Sequence, residues 1–184
     1  MNTRVCVSVL FVWFLPAPLV SQGKVDSTSY PPHQAYRHTL RISAPYDADQ
    51  GKTVLQTEPF VLDSTLSLSM VAALDGRTVT KPATGIVFTF WSTGPVGRYA
   101  GDHSVHVVLG GRDTLNLGNA WLVPNHRPEY NEVLLKGLLL GQFLAIVNAS
   151  TVTIRVGPST VPLTAVQMQG LRDFASRMAP VPSR

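Results

Sequence analysis

From Thr39 onward, apolar and polar positions alternate with a period of two, in short runs separated by turn residues. That is the pattern of strands with one face in a core. The clearest run, Thr65 to Leu74, sets Leu66, Leu68, Met70, Ala72 and Leu74 on one side while Ser67 and Ser69 begin the other. Asp75-Gly76 closes it with a turn dipeptide. Gly85 to Ser92 opposes Ile86, Phe88 and Phe90 to Val87, Thr89 and Trp91. Shorter runs are expected at Thr39–Ser43, with Leu40 and Ile42 on one face, and at Thr53–Glu58. Ser104–Leu109 and Asp113–Leu117 flank Gly110-Gly111-Arg112, where two glycines permit the positive φ angles of a tight antiparallel hairpin. A further strand is expected within Tyr130–Lys136. A last hairpin joins Thr151–Val156 to Ser159–Leu163 through Gly157-Pro158.

The period then changes. Met168, Leu171, Phe174, Ala175 and Met178 recur at helical spacing, with Arg172, Asp173 and Arg177 off that face. Thr164 is a good N-cap, Gln167 completes a capping box, and Pro180 and Pro182 prevent continuation, which predicts a helix over 165–178. A small apolar helix is also expected around Gly141–Asn148. The fold class is therefore mainly β: an antiparallel β-sandwich or roll of seven to ten strands, closed by one C-terminal α-helix. The apolar stretch Val133 to Val147 is about fifteen residues long and is interrupted by Lys136, Gly137, Gly141 and Gln142. A bilayer span needs roughly twenty apolar residues, so this stretch reads as buried core and the chain as no integral membrane protein.

The start of the chain reads differently. Arg4 precedes Val5 to Leu15, an eleven-residue run that is apolar except for Ser8, and then Pro16-Ala17-Pro18 with small residues to Gly23. That is the layout of a signal peptide over 1–23, cut after Ser21 or Gly23, and it predicts a periplasmic or secreted protein. Lys24 to His38, polar and carrying Pro31-Pro32, reads as an extended lead-in to a single domain over 39–180. The one cysteine, Cys6, falls inside the leader. The exported chain is then expected to have no disulfide, thiolate ligand or cysteine nucleophile, and to rely on core packing alone. Without Arg4, fourteen basic side chains face eleven acidic ones. The basic residues are scattered, with no stripe to follow a phosphate backbone, so no nucleic-acid partner is expected.

Three segments, "IVFTFWS", "VHVVLGGRDTLNLG" and "VTIRVGPSTVPLTAVQMQGLRDFASRM", resemble a group of uncharacterised bacterial exported proteins over about two-thirds of the chain, from Thr53 onward. The most specific part is Val152 to Met178, where a hairpin leads into a helix ending in a Leu-Arg-Asp-Phe-Ala-like stretch. The resemblance implies an exported β domain of the bacterial envelope with a closing helix, and no activity.

Catalytic chemistry is thinly marked. Asp102-His103-Ser104-Val105-His106 is the most reactive stretch, and with His126 or Glu129 it is a candidate zinc site or the centre of a small hydrolase. An offset of three puts His103 and His106 on opposite faces of a strand unless the strand bends between them. No Gly-x-Ser-x-Gly turn is present. Glu129 and Glu132 are a carboxylate pair by proximity only. Asp47 to Gly51 lacks the distal ligands of a calcium loop and reads as a polar turn. Gly94-Pro95-Val96-Gly97 lacks the strand-to-helix setting of a phosphate loop. Asn148-Ala149-Ser150 matches a glycosylation sequon but is expected to be buried by its helix. The favoured site residues are instead aromatic. Trp91, Tyr99 and Trp121 are candidates for an exposed platform that binds a protein or polysaccharide. No catalytic residue, metal or cofactor is assigned, and the expected role is a non-catalytic binding domain.

Overall fold

The computed structural model describes residues 29–125 and 127–180. The expected leader with Cys6, and His126, lie outside the described residues. Mainly antiparallel strands form two sheets in a sandwich-like arrangement, with two helices. The larger sheet contains β1 (Ile42–Ser43), β2 (Tyr46–Asp47), β3 (Lys52–Thr57), β4 (Phe60–Val61), β5 (Leu66–Asp75) and β6 (Gly85–Ser92). The chain then builds most of the smaller sheet with β7 (Ser104–Leu109) and β8 (Asp113–Asn119). It returns to the larger one with β9 (Trp121–Val123) and β10 (Glu132–Leu139). Helix α1 (Leu140–Asn148) follows without a linker, then β11 (Val152–Val156), β12 (Ser159–Pro162) and α2 (Ala165–Arg177). The strand order is β1-β3-β5-β6-β10-β9 in the large sheet, with β2 beside β3 and β4 beside β5, and β12-β11-β7-β8 in the small one.

The alternating runs became the long strands at their expected places. The strand count exceeds the expected seven to ten because β1, β2, β4 and β9 are only two or three residues long, too short to show a period. Gly110 and Gly111 both take positive φ in the β7–β8 turn. A register shift between Val105 and His106 lies opposite Gly118, whose φ of 74° no β-branched residue would accept. There the strand turns, so that β8 belongs to one sheet and β9, two residues on, to the other.

Inward-facing residues of both sheets and both helices form one contiguous core. Leu66, Leu68, Met70, Phe88 and Phe90 come from the large sheet; Val105, Val107, Ile154 and Val156 come from the small one. Phe143 of α1 stands edge-on to Phe88 (5.9 Å between centroids) and to Phe174 of α2 (5.9 Å), which ties the sheet to both helices. Thr164 accepts from the Gln167 N–H at 3.2 Å, the Gln167 side chain accepts from the Thr164 N–H at 2.7 Å, and the expected capping box is in place. Arg172 donates to the carbonyls of Val147 and Ala149 at the open end of α1 (2.9 and 3.0 Å), satisfying groups that the helix leaves without partners.

Asp173, placed by its spacing off the apolar face of the helix, is nonetheless enclosed. It is buried, because the lead-in crosses α2 above it. His38 Nδ1 accepts from the Leu40 N–H (3.1 Å), so its proton is on Nε2, which donates to Asp173 at 2.9 Å. Arg177 completes the cluster with a two-pronged contact to the same carboxylate (3.1 and 2.9 Å). A Cβ on Gly170 would run into the Leu40 side chain, so the missing side chain there is what lets the lead-in lie against the helix. Asn148 is exposed rather than buried, and its amide donates to the Ser29 carbonyl at 2.9 Å. Residues 29–41 are thus tied to both helices.

Burial alone would raise the Asp173 carboxyl, but the hydrogen bonds and charges of Arg177 and His38 outweigh it and hold the group below the usual aspartate range. A carboxylate depressed in this way stabilises the fold above the unfolded value near pH 3.9 and loses that contribution as pH falls towards the folded value. Asp173→Asn is expected to cost about 2 kcal/mol at neutral pH, with the gap to the parent narrowing as pH falls below the unfolded aspartate value; melting curves across pH check it. Phe143→Ala, which empties the contact between sheet and helices, is expected to cost 3–5 kcal/mol, or roughly 10 °C in Tm, by thermal denaturation.

Candidate functional site

The three aromatic candidates part company. Tyr99 is fully buried, and its hydroxyl shares a 2.8 Å hydrogen bond with Ser159 Oγ. It is no part of a surface platform: the loop before β7 folds inward there. Glu132 enforces that fold, since its carboxylate accepts from the backbone N–H groups of Arg98 (3.0 Å) and Tyr99 (3.3 Å). Sequence reasoning paired Glu132 with Glu129. Glu129 is exposed while Glu132 is buried with both oxygens engaged by backbone, so the two do not share a cleft.

Trp91 and Trp121 do lie on one face, the outer face of the large sheet. Trp91 pairs with Val133 of β10, which pairs with Val123 of β9; Thr89 pairs with Leu135, which pairs with Trp121. Partners in antiparallel register share a face, so the indoles flank a strip of Val133 and Leu135. Across β6 in the other direction come Ser67, Ser69 and Val71 of β5, opposite Trp91, Thr89 and Val87. By strand alternation Ala73, Val54 and Leu139 belong to this face as well.

The two indoles are held differently. Trp91 is half-buried, and its Nε1 donates to Ser69 Oγ at 2.8 Å. Tyr130 packs beside it with ring centroids 5.1 Å apart, and the Arg127 guanidinium lies 4.8 Å from its ring. Asn125 shapes that loop: its side chain accepts from the Arg127 N–H (2.9 Å) and donates to the carbonyls of Arg127 (2.7 Å) and Tyr130. The Asn131 amide donates to the Gly94 carbonyl at 2.8 Å. The same loop lines an open depression of about 540 Å³, bounded by Asn125, Arg127, Pro128, Tyr130 and Asn131. Its side-chain amide N–H groups donate to backbone carbonyls, while Arg127 is exposed along it. Trp121, by contrast, is 56% exposed on a strand of three residues. Val87 (37%) and Leu139 (60%) on the same face are exposed too.

The metal and hydrolase candidates are dispersed. Asp102 Oδ1 accepts from the N–H and hydroxyl of Ser104 (2.9 and 2.7 Å), and these bonds lower its pKa. His106 is on β7, in register with Arg155 and Asn116 on the outer face of the small sheet. A bulge does lie between the two histidines, yet among the described residues no three His, Cys, Asp or Glu side chains are grouped to hold a metal. Asp47 accepts from the N–H groups of Asp49 and Gln50, the polar turn expected there. Among the described residues no helix is long and apolar enough to cross a membrane.

No protein-family model, curated protein or solved structure matches the chain.

The contrast between the indoles has a measurable consequence. Trp91→Ala is expected to cost about 3 kcal/mol through lost packing and the orphaned Ser69 contact. Trp121→Ala is expected to change stability by no more than about 0.5 kcal/mol. Denaturant titration of the two variants compares them directly.

Proposed function

We propose that the chain is a non-catalytic interaction domain of the bacterial envelope or extracellular space, and that it docks a protein partner through the outer face of its large sheet. One observation carries this reading: the two sheets of the same molecule face outward with opposite character. The outer face of the small sheet presents Thr114, Asn116, His106, Thr153, Arg155 and Thr160, with Val108 the aliphatic among them, as a solvated antiparallel sheet should. The outer face of the large sheet presents Val54, Val71, Val87, Leu135, Leu139 and Trp121, with Gln56, Ser67, Ser69 and Thr89 between them and Arg127 over Trp91. Exposed Val87, Leu139 and Trp121 on one sheet face mark a site of contact rather than a face kept for water.

Protein is favoured over polysaccharide by what the face lacks. A sugar-binding platform sets hydroxyl-reading donors and acceptors beside its aromatic ring. Here the neighbours of Trp121 on the face are Leu135 and Val123, and the nearby loop amides donate to backbone carbonyls. A methyl-rich strip with one rigid indole suits the apolar centre of a protein interface.

A photo-crosslinking amino acid at Val87, in the cells that make the protein, tests the reading. A discrete higher-mass adduct from Val87, absent when the probe replaces Thr114 on the small sheet, is the expected outcome. Equal labelling from both positions, or none from Val87, would sink it.

A further inference from the structure

The geometry points to Lys136 as a nucleophilic amine, a site where small aldehydes condense with Nζ to form an imine. The inference starts from where this lysine stands in the sheet. On β10, Leu134, Lys136 and Leu138 share the inward parity, and both leucines are buried. Lys136 is in register with Phe88 of β6, and Phe88 is in register with Met70 of β5; both of those are completely buried. A lysine thus occupies a core-facing place in a row of large apolar side chains. Lysine is seldom enclosed without a carboxylate to pair with it. Among the described residues no carboxylate forms an ion pair with Lys136. Its Nζ donates instead to the Asn119 carbonyl, at 3.0 Å.

The amine end of the side chain is placed differently from its stem. The residue as a whole is half-buried, and Nζ reaches the corner where the chain leaves the small sheet after β8 and enters the large one at β9. Gly118, with φ of 74°, forms that corner. A Cβ added there would meet Nζ at 3.8 Å and nothing else within 4 Å, so the glycine leaves open space beside the amine. Two properties of a nucleophile follow. The N–H given to Asn119 holds the nitrogen in place, and that bond does not engage the lone pair of the neutral amine. Partial burial lowers the proton affinity of the amine, so more of it is neutral at a given pH. The neutral nitrogen adds to the aldehyde carbon, a proton passes from nitrogen to oxygen, and the carbinolamine loses water to leave the C=N bond. Amine and aldehyde give imine and water, with no further reactant. Lys52 and Lys81 lack this setting: Lys52 is in register with Asp47 and with Asp75, and Lys81 is exposed.

Reductive labelling of the purified protein with propanal and cyanoborohydride tests this, with peptide mapping to assign each adduct. The quantity read is the ratio of the Lys136 rate to the Lys81 rate, from neutral pH up into the ordinary lysine range. The expected ratio is at least about 5-fold at neutral pH, and it narrows as rising pH makes the exposed Lys81 amine neutral as well. Equal rates at neutral pH overturn the inference. So does a ratio that stays constant with pH, because that reports access alone. Lys136→Met keeps an unbranched apolar stem on the inner face; it is expected to melt close to the parent and to lose this adduct only. A lysine kept solely to cap the Asn119 carbonyl gives the opposite pattern, a destabilised Lys136→Met variant together with ordinary reactivity of Lys136 in the parent. The parent's ratio decides between the two even where the variant fails to fold.

Discussion

Phe143 is the side chain through which the larger sheet, α1 and α2 become one body. It meets Phe88 on one side and Phe174 on the other, both edge-on. The apolar helix that carries it emerges directly from β10. Because β10 is held between β6 and β9 in the large sheet, that junction fixes where α1 can go, and α1 fixes α2 through the Arg172 contacts to its last carbonyls. Once α2 is placed, Asp173 and Gly170 determine where the lead-in can cross. No cysteine is present after Cys6, so this chain of packing contacts has no covalent reinforcement among the described residues.

Much of the fold was legible because its signals are local. Period-two alternation in β5 and β6, paired glycines between β7 and β8, and the Thr164–Gln167 box before α2 each depend on a few neighbouring residues. The short strands were not legible. Trp121-Leu122-Val123 is too brief to show alternation, and only its pairing with Leu135, Leu134 and Val133 makes it a strand. The packing of the lead-in was not legible for a related reason: nothing near His38 in the chain announces a carboxylate 135 residues away.

The candidate site was legible by half. Alternation placed Trp91 opposite Phe88 and Phe90 and so raised the question of what lies on its side of the strand. It could not say that Tyr99 turns inward, because that depends on Glu132 holding the Arg98–Tyr99 backbone from another strand. Nor could it separate Trp91 from Trp121. A loop shaped by Asn125 partly covers the first, while the second projects from the sheet edge. One signal was available and went unused. Val133 and Leu135 repeat on β10 what Val87 and Trp91 do on β6, namely apolar residues at both parities, which marks a sheet whose two faces both avoid water.

The way the sheet edges are treated sharpens the meaning of that face. Exposed edges invite unwanted pairing, and this chain blunts them: β9 is three residues long and runs into Pro124, β12 ends at Pro162, and β1 is two residues long. The remaining edge, β8, is bulged and bends away towards the other sheet. Association by strand addition is therefore opposed at the available edges. On the outer face of the large sheet the loop carrying Arg127 and Tyr130 covers the Trp91 end, while no lysine or glutamate interrupts the strip from Val87 through Leu135 to Trp121. Apolar surface that served no contact would expose the domain to the aggregation its edges are built to avoid. A sequence that guards its edges while leaving Val87, Leu139 and Trp121 exposed is consistent with a partner that meets the sheet side chain against side chain rather than backbone to backbone.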